Sequence, residues 1–132
     1  MTTIMIVDDY VPSHRLMSFV LEQYGYAVVT ALDGQQALHR LDSFPVDLVI
    51  TDLTMPRMDG IELARAIRAH ARHAELPIIM ITGSVKEQDE VKAAGVGVNS
   101  FLTKPVDSDD LINEIQRLLH PVPVRTTASS ER

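Results

Sequence analysis

The sequence predicts an α/β fold in which helices cover both faces of a five-stranded parallel sheet. Short β-branched, apolar runs alternate with segments of helical periodicity along most of the chain. Three of these runs, at 4–7, 48–50 and 78–81, are almost unbroken in their apolar character, as expected of strands that are buried on both faces. Repeated β-α units of this kind require right-handed crossovers and a parallel sheet.

Apolar periodicity and turn residues define the first half of the fold. The first strand is predicted at 3–7, and the first helix runs from about 12 to 24 with Pro12 in its first turn. The apolar face of this helix has residues at helical spacing, namely Met17, Val20, Leu21 and Tyr24. After Gly25 we predict a second strand at 27–30, a short helix around 37–41 and a third strand at 47–51.

Capping patterns define the second half. Asp59 and Glu62 form a capping box at the start of the third helix, and the segment 69–76 is a connecting loop or a frayed helix end. Pro77 opens the fourth strand at 78–81. A second capping pattern at 84–87 predicts a fourth helix that ends near Gly95 or Gly97, followed by a strand at 99–103 and a helix at 108–119. Residues 121–132 lack apolar periodicity, so we expect a domain at 1–120 followed by a disordered tail or linker stub.

Composition excludes several classes of function. The 132 residues include twelve basic and eighteen acidic side chains, a net charge of −6 without a basic stripe, so direct nucleic-acid binding is not expected. The absence of cysteine excludes disulfides and thiolate metal sites. Apolar runs of four or five residues are too short to span a membrane, and the N-terminus lacks the layout of a signal peptide. We therefore expect a cytoplasmic protein with no membrane contact.

Chemically distinctive residues follow or end the predicted strands: Asp8, Asp9, Asp52, Thr82 and Lys104. In an open parallel sheet, the carboxyl ends of the strands meet at one crevice, so these side chains are expected to share a small volume. Three neighbouring carboxylates repel one another unless a cation offsets them, and oxygen ligands with room for water suit Mg²⁺. The sequence thus predicts a site for a metal ion and a phosphoryl group.

The same residues can be assigned chemical roles. A carboxylate at a strand tip, such as Asp52, can act as a nucleophile on phosphorus. The ammonium of Lys104 can neutralise charge on the phosphoryl oxygens. The hydroxyl of Thr82 can donate a hydrogen bond to a phosphoryl group once it is attached.

Across residues 3–120 the chain resembles the response-regulator receiver domain of two-component signalling. The similarity lies in an ordered set of segments: Ile4–Asp9, Asp52 with 55–60, Ile78–Thr82 and Asn99–Pro105. The intervals also fit that family, with 43 residues from Asp9 to Asp52, 30 more to Thr82 and 22 more to Lys104.

The resemblance implies a flavodoxin-like sheet in the order 2-1-3-4-5, as in chemotaxis regulators. It implies that Asp52 accepts a phosphoryl group from the phosphohistidine of a sensor histidine kinase or a histidine phosphotransfer protein. Mg²⁺, or Mn²⁺ in its place, would be held by the metal ligands of the family: Asp9, Asp52, the backbone carbonyl of Thr54 and, mainly through water, Asp8.

The resemblance further implies a conformational switch. Lys104 would pair with the phosphoryl oxygens, Pro105 would follow a cis peptide bond, and Thr82 with Phe101 would form the switch pair. The face made by helix 4, strand 5 and helix 5 would then bind or release a downstream protein target, and by family analogy would form a homodimer. Such a domain is not a metabolic enzyme and catalyses only its own phosphorylation and dephosphorylation.

Two alternatives remain open from the sequence. A phosphate-independent pseudo-receiver would bind partners only, although the complete set of three aspartates, Thr82 and Lys104 argues against it. An aspartyl-nucleophile phosphatase usually carries a second acid two residues after its nucleophile, where this chain has Thr54. The five histidines are dispersed, and no pair combines ligand spacing with a third partner. His70 and His73 lie three residues apart in a polar loop, so we expect exposed side chains and no metal site.

Overall fold

A computed structural model describes residues 1–83 and 86–120 of the chain. The strands are β1 (Thr3–Val7), β2 (Ala27–Ala31), β3 (Leu48–Asp52), β4 (Ile78–Thr82) and β5 (Ser100–Thr103). The helices are α1 (Val11–Gln23), α2 (Gly34–Ser43), α3 (Gly60–Ala69), α4 (Glu87–Gly95) and α5 (Ser108–Leu119), with a 3-10 turn at Ala71–His73. All neighbouring strands pair in parallel in the order β2-β1-β3-β4-β5. The predicted doubly wound fold and strand order are confirmed.

Most element boundaries fall within a residue or two of the predictions, and α4 is the instructive exception. The capping box at α3 is present in full, since the Asp59 carboxylate accepts the Glu62 N–H at 2.8 Å and the Glu62 carboxylate accepts the Asp59 N–H at 3.0 Å. By contrast, α4 begins at Glu87 after Lys86 at the N-cap position, two residues later than a cap at Ser84 would place it. The predicted start was therefore wrong; three acidic residues in the first turn favour the observed one through the helix dipole.

Two parts of the predictions lie outside the described residues. Ser84 and Val85 of the proposed capping pattern belong to this group, as does the segment 121–132. Within the described residues, none of the helices is both long enough and apolar enough to cross a bilayer.

The apolar core consists of layers on the two faces of the sheet. One layer joins α1 and α5 to the sheet, with these fully or largely buried residues: Ile4, Ile6, Leu21, Ile50, Ile79, Ile81, Leu111 and Ile115. The opposite face carries α2, α3 and α4, with Met5, Val49, Leu63, Ile67 and Met80 buried there. Tyr24 was predicted on the apolar face of the first helix, yet it is 49% exposed because α1 ends at Gln23 and the chain turns at Gly25, whose φ is +87°.

The side chain of Arg68 links several segments at the end of the sheet opposite the carboxyl ends of the strands. The guanidinium of Arg68, on α3, donates to the carbonyls of Gly97 and Leu76 at 2.7 Å each and to Oδ1 of Asn99 at 3.0 Å. The same amide oxygen of Asn99 accepts the backbone N–H of Ile78 at 2.8 Å. Burial lowers the pKa of Arg68 from its ordinary value, the expected effect of desolvating a cation. The end of α3, the start of β4 and the turn before β5 are thereby held in one network.

A polar contact fixes α5 on β5. The Glu114 carboxylate accepts the hydroxyl of Ser100 at 2.8 Å and pairs with Arg117 at 2.7 Å. The hydrogen bond from Arg117, followed by that from Ser100, lowers the pKa of Glu114 below its ordinary value of 4.5. Ionised Glu114 therefore stabilises the folded state.

Replacing Glu114 with Gln is expected to reduce stability at neutral pH by about 1 kcal/mol, since the charge-assisted bonds are partly open to water. A lowered folded-state pKa means that this contribution is fully present above pH 4.5 and is lost as pH falls through the folded-state value. Urea unfolding of wild type and Glu114→Gln at pH 7 and at about pH 3 measures this contribution to the free energy of unfolding. A difference between the two proteins that is as large at the low pH as at pH 7 would contradict the assignment.

Candidate functional site

Two aspartates are placed by the ends of neighbouring central strands. Asp8 follows β1 and is 5% exposed, with its Oδ1 accepting the N–H of Tyr10 at 2.9 Å. Asp52 is the last residue of β3, and its Oδ1 accepts the N–H of Leu53 at 2.7 Å. Because β1 and β3 pair in parallel, their tips lie side by side. The backbone thus orients both carboxylates before any ligand is present.

Asp9 and Lys104 complete the cluster predicted from the sequence. Carboxylate oxygens of Asp8, Asp9 and Asp52 lie within 4.8 Å of one another. The ammonium of Lys104 lies 3.3 Å from Oδ2 of Asp52 and 3.6 Å from Oδ2 of Asp8. These three acids carry three negative charges, of which Lys104 offsets one. A divalent cation with oxygen ligands fits this surplus of charge and this donor set.

Thr82 and Lys104 are linked through the backbone. Thr82 ends β4 and is 2% exposed, and its carbonyl accepts the N–H of Lys104 at 2.8 Å. The Lys104–Pro105 peptide bond is cis, in agreement with what the family resemblance implied. The strand tips therefore bring Asp8, Asp9, Asp52 and Lys104 together, and Thr82 is joined to Lys104 through its carbonyl. The chemical roles of these residues, like that of the Thr54 carbonyl, stay predictions.

Phe101 lies on the same face of the sheet as Thr82. It is paired with Met80 across β4 and β5, and Met80 precedes Thr82 by two residues, so all three side chains point to one side. Phe101 is half-buried against the small cluster that includes Leu53 and Ala93 of α4. This position connects the strand tip to α4 through packed side chains.

Gly60 sets the position of the loop that follows Asp52. Its N–H donates to the carbonyl of Leu53 at 2.7 Å. A Cβ built on Gly60 would collide with the backbone carbonyl oxygen of Asp52 and would lie 3.0 Å from both Leu53 Cα and Met80 Cε. In the sequence this glycine belonged only to segment 55–60 of the family resemblance, and the close approach of two backbones was not predicted.

An ion pair that local sequence patterns did not predict also joins the loop after Asp52 to α2. Arg57 has a φ of +68°, an uncommon conformation for a residue with a side chain, and its guanidinium donates to Oδ2 of Asp33 at 2.7 Å. Asp33 is the N-cap of α2 and accepts the N–H of Gln36, and this hydrogen bond, with a smaller part from Arg57, lowers the pKa of Asp33. Asp-Gly is typical of a turn and predicts one at Asp33-Gly34, but a partner 24 residues away leaves no local pattern.

A cavity of about 480 Å³ opens beside the cluster, between α1, α5 and the sheet. Asp8, Asp52 and Lys104 form its polar end, and its walls are mainly apolar, including Leu16 and Val106. Leu16 is 69% exposed, so the mouth of the cavity presents apolar surface to solvent next to the carboxylates. The site therefore combines an anion-binding ammonium, a cluster of oxygen donors and an apolar approach.

Comparison with known proteins places this geometry in a family. The sequence matches the response regulator receiver domain over residues 4–116. It is 37% identical over 120 residues to the chemotaxis protein CheY of Pseudomonas aeruginosa, covering 90% of this chain and 97% of that protein. It is also 36% identical to part of the CAI-1 autoinducer sensor kinase/phosphatase CqsS of Vibrio cholerae, covering 85% of this chain and 16% of that protein.

Solved structures agree with the sequence comparison. The chemotaxis protein CheY4 of Vibrio cholerae superimposes with a TM-score of 0.86 at 32% identity, covering 90% of this chain and 99% of that one. A response regulator receiver protein from Pseudomonas putida gives a TM-score of 0.84 at 32% identity, covering 88% and 96% of the two chains. The chain is a member of the response regulator receiver domain family, the CheY-like signalling domains of two-component systems.

Proposed function

We propose that this domain, residues 1–120, is a phosphorylation-dependent switch in which Asp52 accepts a phosphoryl group from a sensor histidine kinase or a histidine phosphotransfer protein. The observation that carries the proposal is the placement of Asp52 Oδ2 3.3 Å from the Lys104 ammonium, inside a cluster of three carboxylates. The proposal includes a cytoplasmic location and no catalysis beyond the domain's own phosphorylation and dephosphorylation.

The transfer step follows from the arrangement around Asp52. Oδ1 is held by the N–H of Leu53, so Oδ2 is the oxygen that attacks phosphorus. A bond forms from Oδ2 to phosphorus as the bond from phosphorus to the donor's imidazole nitrogen breaks, and that nitrogen takes up a proton. Lys104 then faces the new phosphoryl group and stabilises its charge, which is the main protein contribution in phosphoryl transfer.

A divalent cation is part of the proposal. Members of this family generally bind Mg²⁺, and we assign its ligands here to Asp9, Asp52 and the Thr54 carbonyl, with Asp8 acting through water. When bound, Mg²⁺ or Mn²⁺ neutralises charge on the transferring phosphoryl oxygens. The surplus negative charge of the cluster supports this assignment.

The donor is expected to approach over the cavity between α1 and α5. Leu16, which lines this cavity together with Asp52, is 69% exposed, and Phe19 on the same helix is 61% exposed. An apolar patch this close to a reactive carboxylate favours a protein donor that buries it while presenting a phosphohistidine.

The response is proposed to run from Thr82 to Phe101. Attachment of the phosphoryl group draws the Thr82 hydroxyl toward it, and Phe101, on the same face of the sheet, turns into the space that is freed. Phe101 packs near Ala93 of α4, so the face formed by α4, β5 and α5 changes shape. That face would bind or release a downstream protein target, and we assign it to homodimer formation as well.

The experiment is intact-mass spectrometry after incubation with acetyl phosphate, with Mg²⁺ present or removed by EDTA. We expect a gain of one phosphate only when Mg²⁺ is present. No gain in a protein that also fails to bind Mg²⁺ would favour a phosphate-independent pseudo-receiver. Sustained turnover of a generic phosphate ester would favour a phosphatase, a rival that Thr54 already disfavours because an acid usually stands at that position.

Lys104→Ala is expected to keep Mg²⁺ binding and to impair switching. The substitution removes a cation from beside two carboxylates, so Mg²⁺ affinity is retained or rises. Loss of a charge-assisted bond to the phosphoryl group costs about 1.5–3 kcal/mol, roughly tenfold or more in the switching equilibrium. Amide NMR spectra of the phosphorylated protein, read at Thr82 and Phe101, measure the change in the switching equilibrium. Arg65→Ala, at an exposed cation on α3 outside the face formed by α4, β5 and α5, is the control, and a wild-type spectral change in Lys104→Ala would refute the role.

A further inference from the structure

A second group of possible metal ligands lies outside the phosphorylation site. Asp42 is near the end of α2, His70 follows α3, and His73 ends the 3-10 turn that leads toward β4. The sequence expectation that the two histidines have no third partner was wrong, because Asp42 lies 28 residues before His70 and reaches them only through the packing of α2 on α3.

The three side chains converge. One ligand atom from each lies within 4.8 Å of the other two, and Nε2 of His70 is 3.9 Å from Oδ1 of Asp42. Two ligands of one tetrahedral Zn²⁺ are separated by about 3.3 Å, given bond lengths near 2.0–2.1 Å. The ligand atoms must therefore move closer by side-chain rotation before they can share one ion.

The histidine rings are already oriented by other contacts. Nδ1 of His70 accepts the backbone N–H of Arg72 at 3.2 Å, so the proton of the neutral ring lies on Nε2, the atom that faces Asp42. For Nε2 to bind a metal ion, that proton must move to Nδ1 and this hydrogen bond must break. The His73 ring stacks on that of His70 with centroids 4.5 Å apart. Nε2 of His73 is buried, yet it has no hydrogen-bond partner within the part of the chain that the structure describes. An unpaired buried imidazole nitrogen is costly in a site that serves only for packing.

We propose that Asp42, His70 and His73 form a site for a borderline divalent transition-metal ion, with Zn²⁺ as the reference ion. Two imidazoles and one carboxylate suit Zn²⁺, whereas Mg²⁺ prefers oxygen ligands alone. A fourth position would be filled by water. This site would clip the end of α2 to the connection between α3 and β4, and it is independent of Asp52 and its phosphorylation.

Arg72 is the built-in competitor for this site. Its guanidinium Nη2 lies 3.3 Å from Oδ1 of Asp42, the same oxygen that faces His70. Metal binding must displace this exposed ion pair, which contributes little stability. Replacing Arg72 with Ala should therefore raise the affinity for the metal ion. If the cluster is only an ion pair, the same replacement removes a contact and gives no gain in metal affinity.

The test is calorimetric titration of Zn²⁺ into the whole chain, with excess Mg²⁺ present to occupy the Asp52 cluster. We expect one Zn²⁺ per chain, a thermal midpoint that rises with Zn²⁺ concentration, and a tetrahedral Co²⁺ absorption spectrum when Co²⁺ is used instead. His73→Ala and Asp42→Asn should each lower the affinity by at least about tenfold, and Arg72→Ala should raise it.

His39→Ala, at an exposed histidine on α2, is the matched control and should bind as wild type does. If His73→Ala fails to fold, Asp42→Asn still tests the proposal. Asp42 is exposed at the surface, so its replacement is expected to leave the fold intact. The proposal is overturned if Zn²⁺ does not bind under excess Mg²⁺, or if binding is the same in wild type and Asp42→Asn.

Discussion

Asp52→Asn is expected to abolish phosphoryl uptake while leaving the fold intact. The amide has no nucleophilic oxygen to form an acyl phosphate, but its oxygen can still accept the N–H of Leu53. The substitution also removes one of three mutually repelling charges, so the free energy of unfolding should stay within about 1 kcal/mol of wild type or rise. Intact mass after acetyl phosphate treatment and urea unfolding measure the two effects.

Asp47→Asn is the matched control for this variant. Asp47 lies just before β3, at the opposite end of the strand that carries Asp52, and its carboxylate accepts the N–H of Thr3 at 2.8 Å. An asparagine oxygen can accept that bond too, so uptake should be unchanged. Uptake that persists in Asp52→Asn would place the phosphoryl group on another residue, and unfolding of Asp52→Asn would show that Asp52 is mainly structural.

Gly60→Ala is expected to have the largest effect on stability. The added methyl group would meet the carbonyl of Asp52 and the backbone of Leu53, neither of which can move without shifting β3. Overpacking against backbone costs typically 1–3 kcal/mol, and we expect about 3 kcal/mol here. Since Asp52 itself must shift, phosphoryl uptake should also slow. Urea unfolding and the rate of mass gain are the measurements.

Gly95→Ala controls for the general effect of adding a methyl group at a glycine. Gly95 is the last residue of α4, and a Cβ there meets nothing within 4 Å among the described residues. Alanine favours helix over glycine, so this variant should be neutral or slightly more stable. Equal stability of Gly60→Ala and Gly95→Ala would show that the loop after Asp52 adapts easily.

The fold and the chemical cluster were both predictable from local patterns. Strand tips follow apolar runs, and a parallel sheet aligns those tips, so Asp8, Asp52 and Lys104 could be placed together without a structure. Helix α3 was equally predictable because the Asp59–Glu62 capping box uses residues only three apart.

Contacts between distant segments were not predictable. The pairing of Arg57 with Asp33, the approach of Gly60 to Asp52 and the meeting of Asp42 with His70 each depend on how two elements pack. None leaves a periodicity or a spacing in the sequence. The exposure of Tyr24 has a related cause, since one residue's difference in where a helix ends decides whether a side chain at that end faces the core.

The Arg68 network fixes the C-terminal end of α4 against the segments that precede β4 and β5. At the C-terminal end, the guanidinium of Arg68 is bound to the Gly97 carbonyl and to Asn99. Along the helix itself, Ala93 is the buried residue, and the first turn is exposed or half-exposed. The same guanidinium therefore sets where α4 ends relative to the starts of β4 and β5. Because Phe101 on β5 packs against the cluster that contains Ala93 of α4, a rearrangement of Phe101 would act on this helix close to the end that Arg68 holds.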